Sequence, residues 1–400
     1  MKKIYLQKAK DQIARPNKIR DINKQIVLNY IRTKSPISRA DIARETELQR
    51  STVSSIVESL KEAELIEEIG EGSSTGGRKP TLLKIKGKTP VAIGVDMMPR
   101  RTTVAVADLV GTVLDQETFN TSSDIDFMTG RIIKSVSNFA QKYGDYELEV
   151  GMSLPGIIDY DEGTAFYIPY FKWKDWNIGE QLAEATGLNV YIDNDANAIA
   201  LAELWFGREN IRKSRNFITV LVGEGIGTGI IFEGQLYRGE RGAAGEFGHM
   251  IVGDDAPTNC SCGSCYCWEA HASEKAIIAR YKQMIGRDNG NIYDELEIED
   301  IIDLANDGDQ IAIKVFDKTA EFLGIGISNL IVGLNPQAII ISGKVIKAWN
   351  LIVDELHNTI ERSIRQKLPK TEIIASSLGV YPTLIGSISL VLARKFASAN

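Results

Sequence analysis

All four cysteines of this 400-residue chain fall within eight positions, Cys260-Ser-Cys262-Gly-Ser-Cys265-Tyr-Cys267. His249 lies eleven residues upstream, in Gly245-Glu246-Phe-Gly-His249. Thiols this crowded, beside an imidazole, point to a metal site more than to a disulfide framework. Zinc, which takes four nitrogen or sulfur ligands tetrahedrally, suits such a set. Five candidates compete for four places, so these residues alone leave one surplus. A redox pair or an inert cluster is the competing reading of the same cysteines.

The charge distribution points to a second activity at the other end. Residues 1–84 carry 17 Lys and Arg against 11 Asp and Glu, a net of +6, while the remainder carries −13. A basic end on an acidic body is the outline of a nucleic-acid-binding module joined to something else. Hydrophobic residues make up 44% and charged residues 25%, which supports several folded cores and excludes disorder. No apolar run reaches the roughly 18 residues of a membrane span. The basic N-terminus also lacks the apolar stretch of a secretory signal. The expectation is a soluble, cytoplasmic protein.

Pattern gives the basic end a shape. Ile22, Ile26, Val27, Tyr30 and Ile31 recur at helical spacing. Ser38, with Asp41 three residues on, reads as a capping box opening a short helix over Arg39–Glu45. A second helix, from about Gln49 to Leu60, has an apolar stripe of Val53, Ile56, Val57 and Leu60. Two strands around a Gly-rich turn tipped by Arg78 and Lys79 make a wing. Residues 1–86 therefore read as a winged helix-turn-helix. Its candidate DNA-binding residues are Ser38, Arg39, Gln49, Arg50, Ser51, Thr52, Ser54, Ser55, Arg78 and Lys79. A helical domain that binds only protein is the alternative.

Beyond residue 87 the chain reads as α/β. Val91–Asp96 is a buried strand, Thr102–Asp108 a second, and Gly111-Thr-Val-Leu begins a third. Phe217–Val222 followed by Gly223-Glu-Gly-Ile-Gly-Thr-Gly229 repeats the strand–turn–strand pattern, which implies two related lobes, residues 87–200 and 201–400. Asn194 and Asp195 follow a strand-like segment, at the end where open α/β sheets bind ligands. Side by side they can bond neighbouring sugar hydroxyls, and an ionised Asp195 can act as a general base. Capping of the helix Ala196–Phe206 by Asp195 is the structural alternative.

These motifs together resemble the ROK family (repressors, open reading frames and kinases), and within it the xylose-repressor-like branch that carries a DNA-binding head. The resemblance rests on Gly242-Ala-Ala-Gly245-Glu246-Phe-Gly-His249 and on Cys260-x-Cys262-Gly-x-x-x-Cys267-x-Glu269. Pro155-Gly156-x-x-Asp159, Asn194-Asp195-x-Asn197 and the exit Gly77-Arg78-Lys79-Pro80 add to it. It implies a ribonuclease-H-like body of the actin/hexokinase superfamily, with a C-terminal helix returning to the first lobe. It also implies structural zinc on His249, Cys260, Cys262 and Cys267, leaving Cys265 spare. Sugar would be held by Asn194, Asp195, Glu246, His249 and Glu269, with Gly156 nearby. In the kinases of the family Asp195 matches the catalytic base.

Four departures separate this chain from those kinases. Their Asp-x-Gly-Gly-Thr phosphate turn is replaced by Asp96-Met-Met-Pro-Arg-Arg101, where Pro99 has no N–H to offer. Lys344 stands where a second turn often has glycine, and Tyr266 where the metal motif usually has glycine. Tyr170-Phe-Lys-Trp173 also differs from the relatives' stretch near the sugar. The expectation is a non-enzymatic regulator, a repressor of carbohydrate-utilisation genes, binding a monosaccharide but no ATP. It would bind an inverted-repeat operator as a homodimer or homotetramer. A sugar kinase with an appended head, and a regulator sensing a protein partner, are the rivals.

Overall fold

The computed structural model describes residues 16–72, 79–286, 296–364, 368–379 and 381–396. The head consists of α1 (Pro16–Lys34), β1 (Ile37–Ser38), α2 (Arg39–Thr46), α3 (Arg50–Glu62), β2 (Ile66–Glu71) and β3 (Thr81–Ile85). The Ser38 hydroxyl donates to Asp41 Oδ2 at 2.6 Å, and Ser38 Oγ accepts from the Asp41 N–H at 3.2 Å, which starts α2 at its capping box. Val53, Ile56, Val57 and Leu60 of α3 turn inward against Val27, Ile31, Ile42 and Leu83. The strands form a small sheet in the order β1-β3-β2. This is a winged helix-turn-helix, with α1 running further on both sides than its apolar spacing suggests.

The first lobe holds β4 (Pro90–Met97), β5 (Arg101–Asp108), β6 (Val113–Asn120), α4 (Ile125–Lys142) and β7 (Glu149–Leu154). A small hairpin layer follows, β8 (Ile157–Asp159), β9 (Thr164–Ile168) and β10 (Trp173–Trp176), then α5 (Ile178–Thr186) and β11 (Val190–Asn194). The main sheet runs β11-β7-β4-β5-β6, antiparallel across β4, β5 and β6 and parallel across β11, β7 and β4. Every residue of β4 is buried because it is central and covered on both faces. Next come α6 (Asp195–Phe206) and the short α7 (Glu209–Arg212).

The second lobe repeats the plan with β12 (Phe217–Val222), β13 (Ile226–Phe232) and β14 (Gln235–Leu236). After the cysteine loop come α8 (Trp268–Ala272), α9 (Glu274–Met284), α10 (Ile298–Asn306), α11 (Gln310–Leu334), β15 (Ala338–Ser342), α12 (Trp349–Ser363) and β16 (Glu372–Ala375). Its sheet, β14-β13-β12-β15-β16, has the same antiparallel-then-parallel order. The core packs Trp268, Phe316, Leu323 and Ile327 against Val220 and Ile341, so one face of α11 is interior and its end at Val332 and Leu334 is exposed. The last helix, α13 (Pro382–Phe396), crosses back to lie on β4 and β7 of the first lobe. Among the described residues no helix is long and apolar enough to cross a membrane.

Candidate functional site

The cysteine loop leaves β14 through the glycine-rich turn and returns at α8, held by a bridge between Ile251 and Cys267 and by the Trp268 N–H donating to the Met250 carbonyl. Along it His249, Cys260, Cys262 and Cys267 bring one nitrogen and three sulfurs within 4.8 Å of one another. His249 Nδ1 lies 3.1 Å from Cys260 Sγ, and Cys262 Sγ 3.5 Å from Cys267 Sγ. Cys260 and Cys267 are buried, which pushes both thiols up, whereas backbone hydrogen bonding lowers Cys262. Cys265 stands outside this group. The Tyr266 side chain is exposed, and only its backbone joins the loop, its carbonyl accepting from the Val252 N–H.

The other ring nitrogen of His249, Nε2, lies 3.5 Å from Glu246 Oε2. Glu246 is pushed up by burial and by Glu269, and drawn down by His249. Glu269 projects from α8 and accepts the Ser261 N–H and hydroxyl on Oε1 at 3.1 and 3.2 Å, and the Ile226 N–H on Oε2 at 3.3 Å. Across from them Asn194 caps α6, its Oδ1 accepting from the Ala196 and Asn197 N–H groups at 2.9 and 3.3 Å. The helix cap is therefore Asn194, where the sequence suggested Asp195. Asp195 accepts its neighbour's N–H at 2.8 Å, and its buried carboxyl lies near those of Asp96 and Glu246. Burial, together with the like charges of Asp96 and Glu246, pushes that carboxyl up to about 7.

Gly156 belongs to the same group because its carbonyl accepts from Asn194 Nδ2 at 3.0 Å. Its φ is +110°, and a Cβ there would meet the Tyr167 carbonyl oxygen at 2.2 Å, so only glycine fits. Two neighbours were not legible as site residues. Asp193 accepts from Arg238 Nε at 2.7 Å and from Asn197 Nδ2 at 2.9 Å, joining the first lobe to the strap after β14. Asp96, pushed up to about 6 by burial, accepts the hydroxyls of Thr383 and Ser153 at 2.8 and 3.1 Å. Their partners come from distant segments; the local signals were the Asp193-Asn194-Asp195 run and the place of Asp96 at the head of the phosphate-turn motif.

Where a phosphate turn would stand, the Met98 N–H is occupied by the Arg101 carbonyl at 2.9 Å. Arg100 reaches across the cleft, its Nη1 3.1 Å from Glu297 Oε1 and its Nε 3.8 Å from Glu224 Oε1. Lys344 pairs with Glu299 at 2.9 Å and with Glu297 at 3.4 Å. Arg100, just after the two positions where the kinases have glycine, and Lys344 thus share Glu297 in one network of ion pairs.

In the head, Gln49, Arg50, Ser51 and Ser55 are exposed at the start of α3, with Thr52 and Ser54 half-buried beside them. Gln49 is the N-cap of α3 yet its side chain makes no capping bond. Ser38, only 2% exposed, is buried and committed to the α2 cap, which keeps it from reaching DNA. Arg39 is paired with Glu58 at 2.7 Å and Glu68 at 2.8 Å. Lys79 is exposed, 3.7 Å from Glu71. Arg78 lies outside the described residues.

A DNA-reading head on a two-lobed body of sugar-kinase type defines a class of transcriptional regulators. Residues 20–67 match the winged helix-turn-helix DNA-binding family and residues 92–394 match the ROK family. The chain belongs to the ROK family. It is 33% identical over 381 residues to the xylose repressor of Bacillus subtilis, covering 94% of this chain and 96% of that protein. Among solved structures it resembles a ROK family transcriptional regulator, a homologue of the E. coli Mlc protein, with TM-score 0.79, 26% identity and 95% and 97% of the two chains covered. A ROK family glucokinase from Streptomyces griseus in complex with glucose and AMPPNP matches with TM-score 0.66 and 28% identity, covering 75% of this chain and 98% of that one. The portion beyond the kinase length includes the head.

Proposed function

We propose that this chain is a cytoplasmic, sugar-responsive transcriptional repressor whose kinase-like cleft binds a monosaccharide without turning it over. The observation that carries this reading is the pairing of a complete polar cleft (Asn194, Asp195, Glu246, His249 and Glu269) with a phosphate turn closed by Arg100 and Glu297. Sugar hydroxyls would bond to those five side chains near the Gly156 carbonyl. Operator DNA would be contacted by Gln49, Arg50, Ser51, Thr52, Ser54, Ser55 and Lys79, with Arg78 from the wing. Two or four heads on a homo-oligomer suit an inverted repeat whose half-sites lie about one helical turn apart.

Zinc fits the four-ligand cluster, because one imidazole nitrogen and three thiols are the donors of a closed structural site. Held by His249, Cys260, Cys262 and Cys267, it would supply a rigid cross-link in place of a disulfide. His249 then carries the consequence into the cleft: with Nδ1 turned to the cysteines, Nε2 is the nitrogen left for Glu246 and a sugar hydroxyl.

The test is a gel-shift titration of the full chain against duplex DNA from upstream of its own gene, with and without a panel of pentoses, hexoses and amino sugars including xylose and glucose. The expected result is specific binding over random DNA that one sugar alters, with no ADP release from ATP and any panel sugar. Sugar-dependent ADP release that Asp195→Asn abolishes would make the protein a kinase.

A further inference from the structure

Two helices start at the cleft and finish at the head. α6 begins at Asn194 and Asp195 and ends at Trp205 and Phe206. α13 begins beside Thr383, whose hydroxyl is bonded to Asp96, and ends at Phe396. They lie in direct contact: a Cβ added at Gly386 of α13 would meet Ala198 of α6 at 2.9–3.0 Å, so neither helix can slide without the other.

Their far ends meet one residue of the head. The Arg32 guanidinium, in the last turn of α1, lies 4.3 Å from the Trp205 ring centroid and 4.9 Å from that of Phe396, while the two rings are themselves 5.5 Å apart. Its Nη1 donates to the Trp205 carbonyl at 3.3 Å, and Asn29 Oδ1 holds its other nitrogens at 3.2 and 3.4 Å. Gln25, two turns earlier, donates from Nε2 to the Arg394 carbonyl at 3.0 Å. Both helices thus have a C-terminal carbonyl bonded by a side chain of α1, at the end where the helix dipole favours a cation. No carboxylate pairs with Arg32 among the described residues, and burial and nearby Arg212 push it down to about 10. The Trp205 Nε1–H is buried without a hydrogen-bond partner among the described residues.

We propose that Arg32 is the coupling residue between effector and DNA: packed against both Trp205 and Phe396, it makes the head follow any movement of the α6–α13 pair that a sugar in the cleft causes. This rests on the sugar-responsive reading. A rigid pair of helices about 18 and 22 Å long turns a small tilt at Asn194 into a displacement at the head. The guanidinium is suited to the joint because it stacks and donates in one plane, which an ammonium cannot do.

The experiment uses the full chain as wild type, Arg32→Ala, Arg32→Lys and Trp205→Leu, the last removing the stack without touching the head. In wild type the effective sugar should change affinity for the upstream duplex by 5- to 150-fold, the usual range of such coupling. In Arg32→Ala and Trp205→Leu that ratio should fall to within about twofold of one. The sugar should still raise the melting temperature and the sugar-free affinity should stay within about threefold of wild type. Arg32→Lys should recover less than half of the lost ratio. A full ratio in Trp205→Leu overturns the proposal.

A second arm needs no sugar, because coupling is reciprocal. The duplex alone should change amide exchange over residues 194–206 in wild type and leave it unchanged in Trp205→Leu. Equal changes in both, or none in wild type, overturn the relay. A wild type that shows this change yet ignores every sugar refutes the effector reading and leaves the relay standing.

Discussion

Asn194 donates from Nδ2 to the carbonyl oxygen of Gly156 at 3.0 Å while its Oδ1 caps α6. One amide therefore ties the start of the helix to the turn that closes the cleft. A sugar bonded to this pair is bonded to both the sheet of the first lobe and the helix that leaves it.

Replacing Asn194 with alanine should remove the cap and the tie together. The expected cost is about 0.5–2 kcal/mol of stability, the range for loss of an N-cap, seen as a lower melting temperature. Sugar-induced stabilisation should fall as well, measured in the same melts. Asn194→Asp should restore the cap and not the tie, because a carboxylate cannot donate to Gly156.

The metal cluster makes a prediction that separates its members. Wild type purified without chelator should hold one zinc per chain by elemental analysis, and Cys260→Ser should hold little. Cys265→Ser should hold as much as wild type, because Cys265 is outside the four-ligand group. Stripping zinc should lower the melting temperature and weaken sugar binding, since the proposed function has His249 serve both sites.

Asp195 sets a pH dependence. Its carboxyl is pushed up to about 7 in the folded chain against about 3.9 unfolded, so the folded state holds more proton between those values. Stability from this group is complete below about pH 4 and is lost as pH rises through 7. Asp195→Asn should match wild type in melts near pH 4 and exceed it at pH 8. A difference constant across that range would mean that the carboxyl is ionised throughout.

At the head, Gln49 and Arg50 are exposed and the Gln49 side chain makes no capping bond to its own helix. Alanine at either should cost about 1–3 kcal/mol of preference for operator over random DNA. Lys79→Ala should weaken both kinds of DNA alike and lower the salt dependence by about one counterion. Gel shifts at two salt concentrations measure both effects.

What the sequence determined is local and periodic. The Ser38–Asp41 capping box, the apolar stripe of α3, the strand patterns and the crowding of His249 with four cysteines act over a few residues or one turn. Such spacing translates directly into geometry. Even the misassigned cap at Asp195 was an error of one position. Tertiary structure decided what depends on side chains distant in sequence, beginning with the reach of Arg238 to Asp193. It also decided that Arg100 closes the phosphate turn onto Glu297, and that Arg32 meets the ends of α6 and α13. Those contacts span 45 to 364 positions along the chain. Their energy comes from groups brought together only after the sheets have formed, and no local pattern encodes that.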